Sequence, residues 1–261
     1  MKLRKLGIIA VMAALVGCMA LAGCGSSSTG DLKLLNEGKL TVATSPDFPP
    51  FENFEDGEYV GLDMDIAKAV AEKMGLEFNP VAIQFDGIIP AIVAGGQADI
   101  AISGITVDPE RSEQVDFSTS YYVDDQSIVA MKGGDITSSN VDDELNKAGV
   151  IIAVQTGTTG ETYAQEHYPN ATVTGFGNAN DSFAALASGN ANAVITNKAV
   201  GESMISKSYT DAEVVKAIAT GEEYAIAISK DNTALKEKVN AALKELTDAG
   251  TIDELVQKYM G

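Results

Sequence analysis

Twice along this chain, short β-rich runs alternate with helical patterns, and that order limits the fold more than any other feature. In the first series, Leu40 to Ala43 reads as a strand. Asp63 to Met74 reads as a helix, with Ile66, Val70 and Met74 on one side and Gly75 just beyond it. Phe78 to Ile83 returns as a strand, Ile88 to Ala94 is a helix stopped by Gly95-Gly96, and Asp99 to Ile102 is a third strand. Such an order implies parallel strands with helices on the faces of the sheet. Ligands of these sheets sit off the carboxyl ends of the strands.

In the second series, Val150 to Val154, Thr172 to Thr174, Ala193 to Ile195 and Ala225 to Ile228 read as strands. Thr159 to His167, Asp181 to Ser188 and Lys198 to Ser206 read as helices between them. Thr233 to Thr247 and Ile252 to Tyr259 close the chain as two more. One local pattern occurs in both halves. Ala91-Ile92-Val93-Ala94-Gly95 leads through Ala98-Asp99 into Ile100-Ala101-Ile102-Ser103. Ala185-Leu186-Ala187-Ser188-Gly189 leads through Ala191-Asn192 into Ala193-Val194-Ile195-Thr196. Each is a helix, a glycine stop and a strand ending in a hydroxyl residue, which supports two related lobes.

The N-terminus carries a separate message. Lys2, Arg4 and Lys5 precede an apolar run from Leu6 to Leu21, too short and too one-sidedly flanked for a mature membrane span. Residues 1–23 therefore read as a signal peptide. Leu21-Ala22-Gly23-Cys24 resembles the lipobox of bacterial lipoproteins, in which the cysteine is acylated (palmitate among the acyl groups) and becomes the mature N-terminus. Residues 24–30, rich in Ser and Gly, suit a flexible tether. Cys18 falls in the removed segment and Cys24 is used by the lipid, which leaves no thiol for a disulfide or for catalysis. The expected location is extracytoplasmic, lipid-anchored to the cell membrane.

Charge and missing motifs exclude other classes. The formal net charge is −19, and loss of the signal's three cations makes it more negative still. Such a field disfavours nucleic acid as a partner. His167 is the sole histidine, in a helical stretch with no cysteine nearby to complete a metal set, and reads as a solvated helix residue. No Gly-x-Ser-x-Gly, phosphate loop or dinucleotide fingerprint occurs. No metal, cofactor or enzymatic turnover is expected.

An ordered set of motifs then runs through the chain. Thr44-Ser45-Pro46-Asp47-Phe48-Pro49-Pro50-Phe51-Glu52 is followed by Gly61-Leu62-Asp63-Met64-Asp65-Ile66-Ala67 and by Phe85-Asp86-Gly87-Ile88-Ile89-Pro90-Ala91. Ser103-Gly104-Ile105-Thr106-Val107-Asp108-Pro109-Glu110-Arg111, Val115-Asp116-Phe117-Ser118, Gln155-Thr156-Gly157-Thr158-Thr159-Gly160 and Asp248-Ala249-Gly250-Thr251 continue it. Together these resemble the polar amino-acid-binding proteins of ABC importers, the family 3 type of extracellular solute-binding lipoprotein.

The resemblance implies an α/β, two-lobed, periplasmic-binding-protein-like (type II) fold with two crossing strands and a central ligand cleft. Its crossings fall near Tyr122 to Gln126 and near Glu223 to Ala225, which puts 31–123 and 225–261 in lobe 1 and 124–224 in lobe 2. It implies a receptor that closes its lobes over an amino acid or similar small carboxylate and passes it to a membrane permease, acting as a monomer. A ligand-sensing domain and a cyclic-acid dehydratase use the same scaffold and are the alternatives.

Particular residues follow. A guanidinium fork pairs bidentately with a carboxylate, so Arg111 suits the ligand's α-carboxyl group; an arginine taken alone reads more readily as half of a surface salt bridge, and the surrounding resemblance reverses that. Thr158 and Thr159, at a strand-to-helix turn, meet the same carboxylate from the other lobe. Ser103, Gly104 and Thr106 end a strand with hydroxyl and carbonyl groups free for a polar ligand. Phe48 and Phe85 wall the pocket, while Phe51 is structural. Gln155, Ser45 and Asn197 complete the set. Where well-known members carry an aspartate for the ligand's ammonium this chain has Asn197, and where basic side chains meet another aspartate it has Ser45. The expectation is a neutral or acidic ligand, unless Asp47 turns inward.

Overall fold

The computed structural model describes residues 32–261; the signal peptide, Cys24 and the tether lie outside the described residues. In chain order come β1 (Lys39–Thr44), a meander of β2 (Asp47–Phe48), β3 (Glu52–Glu55) and β4 (Glu58–Val60), then α1 (Leu62–Lys73) and β5 (Glu77–Ala82). After these follow α2 (Phe85–Ala94), β6 (Ile100–Ala101), α3 (Pro109–Gln114) and β7 (Asp116–Phe117). The middle of the chain holds β8 (Tyr122–Met131), α4 (Val141–Leu145), β9 (Ile151–Gln155), α5 (Thr159–His167), β10 (Thr172–Phe176), α6 (Ala179–Ala187), β11 (Ala193–Asn197), α7 (Lys198–Lys207) and β12 (Ala212–Tyr224). It closes with β13 (Ala227–Ile228), α8 (Thr233–Asp248) and α9 (Thr251–Met260).

Two five-stranded sheets result, ordered β5-β1-β6-β13-β7 and β10-β9-β11-β8-β12. In each, the first strand of its series lies between the second and third and pairs parallel with both. The fourth strand of each is antiparallel to the third. The shared helix–glycine–strand pattern therefore fills the same place in both sheets, as β6 beside β1 and as β11 beside β9. This is a two-lobed α/β architecture.

Burial explains the elements. Helix α1 turns Leu62, Ile66 and Val70 onto the first sheet's Leu40 and Val42, and α8 adds Leu235, Val239 and Leu243. The opposite face of that sheet is covered by Ile88 and Ile92 of α2. Beneath the second sheet, Ile152, Val154 and Ile195 pack with Leu145 of α4 and Ala164 of α5. A fully buried aliphatic side chain contributes about 1.5–3 kcal/mol, so these contacts dominate the stability.

Several elements differ from expectation. Helix α2 starts at Phe85, one turn before the apolar run at Ile88, because Gln84 and Asp86-Gly87 hide its first turn from a hydrophobicity reading. The meander, β7, and most of the length of β8 and β12 were not foreseen. Strands β8 and β12 pair antiparallel from Ala212↔Met131 to Tyr224↔Tyr122 with two register shifts, and the start of β8 and the end of β12 connect the two sheets.

Candidate functional site

The expected site residues gather where the strands end at their carboxyl side. Ser45 follows β1, Ser103 to Thr106 follow β6, Gly157 and Thr158 lie between β9 and α5, and Asn197 ends β11. The loop after β6 is shaped by Gly104, which has φ +53° and lies against the Phe48 ring, 3.2 Å from where a Cβ would stand. Only a glycine fits that combination without strain.

Arg111 stands in the first turns of α3, whose N-cap Asp108 accepts from the Arg111 backbone N–H at 2.9 Å. Its side chain is buried and fully organised. Nε meets Asp108 at 3.0 Å, Nη1 donates to the Thr106 carbonyl at 2.9 Å, and Nη2 donates to the Gly157 carbonyl at 2.9 Å. The last bond crosses from the first sheet's loops to the second's. The guanidinium carbon lies 5.4 Å from the centre of the Phe85 ring, a cation–π distance. Three of the five N–H groups are used, which leaves one on each terminal nitrogen, the pair needed to grip a carboxylate. Burial lowers the guanidinium's pKa while Asp108 and then Glu222 oppose the shift, and an arginine keeps its charge throughout.

Glu222 is the residue the sequence reading missed. Its carboxylate is buried and accepts from Thr106 Oγ1 at 2.6 Å, Thr159 Oγ1 at 2.8 Å, Gln126 Nε2 at 2.9 Å and Asn197 Nδ2 at 3.3 Å. Thr106, Thr159 and Asn197 are among the residues the sequence points to, and Gln126 is not. The mark of Glu222 is structural: along the connecting strands Asp124, Gln126, Glu222 and Tyr224 are buried while Val123 and Glu223 are exposed. That alternation of period two turns polar side chains inward.

Asp47 also faces inward. It accepts from Ser45 Oγ at 2.8 Å, from Gln155 Nε2 at 3.3 Å and from the Ala179 backbone N–H at 2.7 Å, at the start of α6. Burial raises its pKa against those bonds. The premise behind the neutral-or-acidic ligand is therefore corrected: a carboxylate stands beside Asn197, and another beside Ser45.

Two further expectations change. The Ser103 hydroxyl is fully buried and spent, donating to Glu52 Oε1 at 2.8 Å and accepting from the Ser45 N–H at 3.0 Å. The Thr158 side chain caps α5, accepting from Glu161 N at 3.2 Å and donating to the Gln155 carbonyl at 2.7 Å. Neither hydroxyl is free for a ligand. Phe51 is buried between Tyr122 and Tyr224, with ring centres at 5.3 and 5.1 Å, as a structural residue should be. His167 is exposed and stacked on Tyr163.

Behind Ser103 lies a pair of buried acids. Asp63 accepts from the Gly104 N–H at 2.7 Å and from the Tyr121 hydroxyl at 2.8 Å. Burial raises its pKa to about 7. Glu52 lies beside it, and burial followed by the charge of Asp63 holds its carboxyl protonated well above the usual range.

Open space reaches this site from one side. A cleft of about 720 Å3 is lined by Phe85, Asp86, Arg111, Gly157, Thr159 and Glu222, among others. Ser45, Phe48, Gln155 and Asn197 do not line it and are buried. Among the described residues no group of three or more potential metal ligands occurs, and no helix is long and apolar enough to cross a membrane.

Comparison with known proteins gives the family. Residues 40–261 match the bacterial extracellular solute-binding proteins, family 3. The chain belongs to that family. It is 34% identical over 248 residues to the arginine-binding extracellular protein ArtP of Bacillus subtilis, covering 92% of each chain. A solved ancestral arginine-binding protein bound to arginine superposes with TM-score 0.80 at 36% identity, over 86% of this chain and 99% of its own. The ancestral amino acid-binding protein AncCDT-1, a precursor of cyclohexadienyl dehydratase, gives TM-score 0.77 at 36% identity, over 86% of this chain and 96% of its own. The two-lobed solute-binding fold of the family is thus the fold of this solute-binding protein.

Proposed function

We propose that this protein is the extracytoplasmic receptor of an ABC importer and that it captures one amino acid between its lobes. The observation that carries the reading is Arg111: a buried guanidinium, already bonded to both sheets' loops, with two N–H groups unspent. These take the ligand's α-carboxylate, and Thr159 closes on it from the second lobe. Residues 31–123 and 225–261 form one lobe and 124–224 the other, closing by bending where β8 and β12 join them. Phe48 and Phe85 flank the ligand.

The side-chain end of the ligand faces Asp47. An anion there, the one exception the sequence argument left open, admits a cationic side chain, and arginine-binding relatives support that choice. The reading is of a binder, without turnover; a cyclic-acid dehydratase would need a proton donor placed over its substrate. Incubation with candidate cyclic acids should leave them unchanged.

The anchor is Cys24. A Cys24→Ser protein should lose acylation and its acyl-held membrane retention. The body starting at Asp31 should fold as a monomer and bind in solution. The test of the whole reading is a thermal-shift screen against the common amino acids and small carboxylates. A ligand at 100 times its dissociation constant should add about 2.7 kcal/mol. A screen in which no amino acid raises the melting temperature would refute it.

A further inference from the structure

Asp47 and Glu222 are both buried carboxylates with neutral donors only, and Glu222 is the one that lines the open cleft together with Arg111. It is buried on β12, and four side-chain donors converge on it: Thr106, Gln126, Thr159 and Asn197. All four are neutral. Among the described residues no lysine, arginine or histidine nitrogen lies within 4.0 Å of its carboxylate. A buried carboxylate held only by neutral donors is favourable when a cation arrives to share the site, and costly otherwise. Arg111, the nearby cation, is held on Asp108 and two carbonyls.

The placement of the two charges is informative. Thr106 links them directly: its carbonyl accepts from Arg111 and its hydroxyl donates to Glu222. Thr159 Oγ1 on the opposite wall also donates to Glu222, and the carbonyl of Gly157, two residues before it, accepts from Arg111. One guanidinium and one carboxylate thus flank the same point of the cleft, separated by a single residue of the first lobe. That pattern complements a carboxylate and a cation carried on one carbon atom. We infer that Glu222 is the residue that receives the ligand's α-ammonium group, in the place left neutral by Asn197. The ligand class is then restricted to α-amino acids, and carboxylates lacking the amine are rejected. Asn197 serves as a neutral donor that orients the glutamate.

This inference rests on the receptor reading, and the experiment separates the two. The full chain, purified in detergent, is screened against the common L-amino acids; the tightest binder and its des-amino analogue are then titrated by calorimetry. The parent should prefer the amino acid over the analogue by on the order of 100-fold, the loss expected when a buried charge goes unpaired. In Glu222→Gln the preference should fall towards parity, with the analogue bound as well as before or better. Adding Asn197→Asp to that variant, which moves a carboxylate to the neighbouring position, should restore the preference. Should Glu222→Gln not fold, Glu222→Asp must reduce the ratio. A folded variant that keeps the parent's ratio, or that weakens both ligands equally, overturns the assignment. So does a parent that binds the analogue as tightly as the amino acid. A parent that binds no amino acid overturns the receptor reading, and this inference with it.

Discussion

Gly104 and Asp63 meet at one hydrogen bond of 2.7 Å, and both can be tested by single substitutions. Gly104→Ala forces a Cβ into a left-handed conformation and against the Phe48 ring. It should cost about 1–2 kcal/mol of stability from the backbone alone, measured by denaturant unfolding. Asp63 gives a pH dependence of defined sign. Its folded pKa, about 7, lies above the unfolded value, so the folded state holds the extra proton between them. This contribution is fully present below the unfolded value of 3.8 and is lost as pH rises through about 7; the neighbouring Glu52, also raised, acts in the same direction. Melting temperatures taken at pH 5 and at pH 7.5 should therefore differ less in Asp63→Asn than in the parent. An equal or larger difference in the variant would contradict that account. Arg111, Thr106 and Thr159 were legible from residue type and motif. Glu222 was not, because an acid among 37 acidic residues has no distinguishing mark until strand alternation turns it inward.

At the scale of elements, α5 was read with its true ends, Thr159–His167, because a capping threonine and a glycine turn mark its start. That cap predicts a loss: Thr158→Ala removes the bond to Glu161 N and should cost about 1 kcal/mol by thermal unfolding. Ligand affinity should change less than stability does, since the hydroxyl is already spent on the backbone. Strand β12 was invisible over most of its length. Glu213, Lys216, Thr220 and Gly221 break any apolar run, and it is an edge strand whose outward residues are solvated. Strands β2 to β4 are too short, and too interrupted by proline and glycine, for period-two alternation to register. Long buried parallel strands, such as β1 and β9, were plain because both of their faces are covered.

For the whole molecule, Asp47 joins β2 to Gln155 and to the start of α6, and Arg111 joins α3 to Gly157. These bonds hold the two lobes together in the structure. Asp47→Ala should loosen the ligand-free protein, seen as a larger radius of gyration in X-ray scattering, with little change once ligand is bound. An unchanged ligand-free radius would mean that Asp47 does not restrain closure. The central claim, that the cleft holds an amino acid by its carboxylate on Arg111, is tested most directly by calorimetric titration of the parent, Arg111→Ala and Arg111→Lys. The parent should bind one equivalent. Arg111→Ala should lose on the order of 2–5 kcal/mol, and Arg111→Lys should recover only part, because an ammonium cannot reproduce the planar fork. Binding by both variants within twofold of the parent would contradict the account.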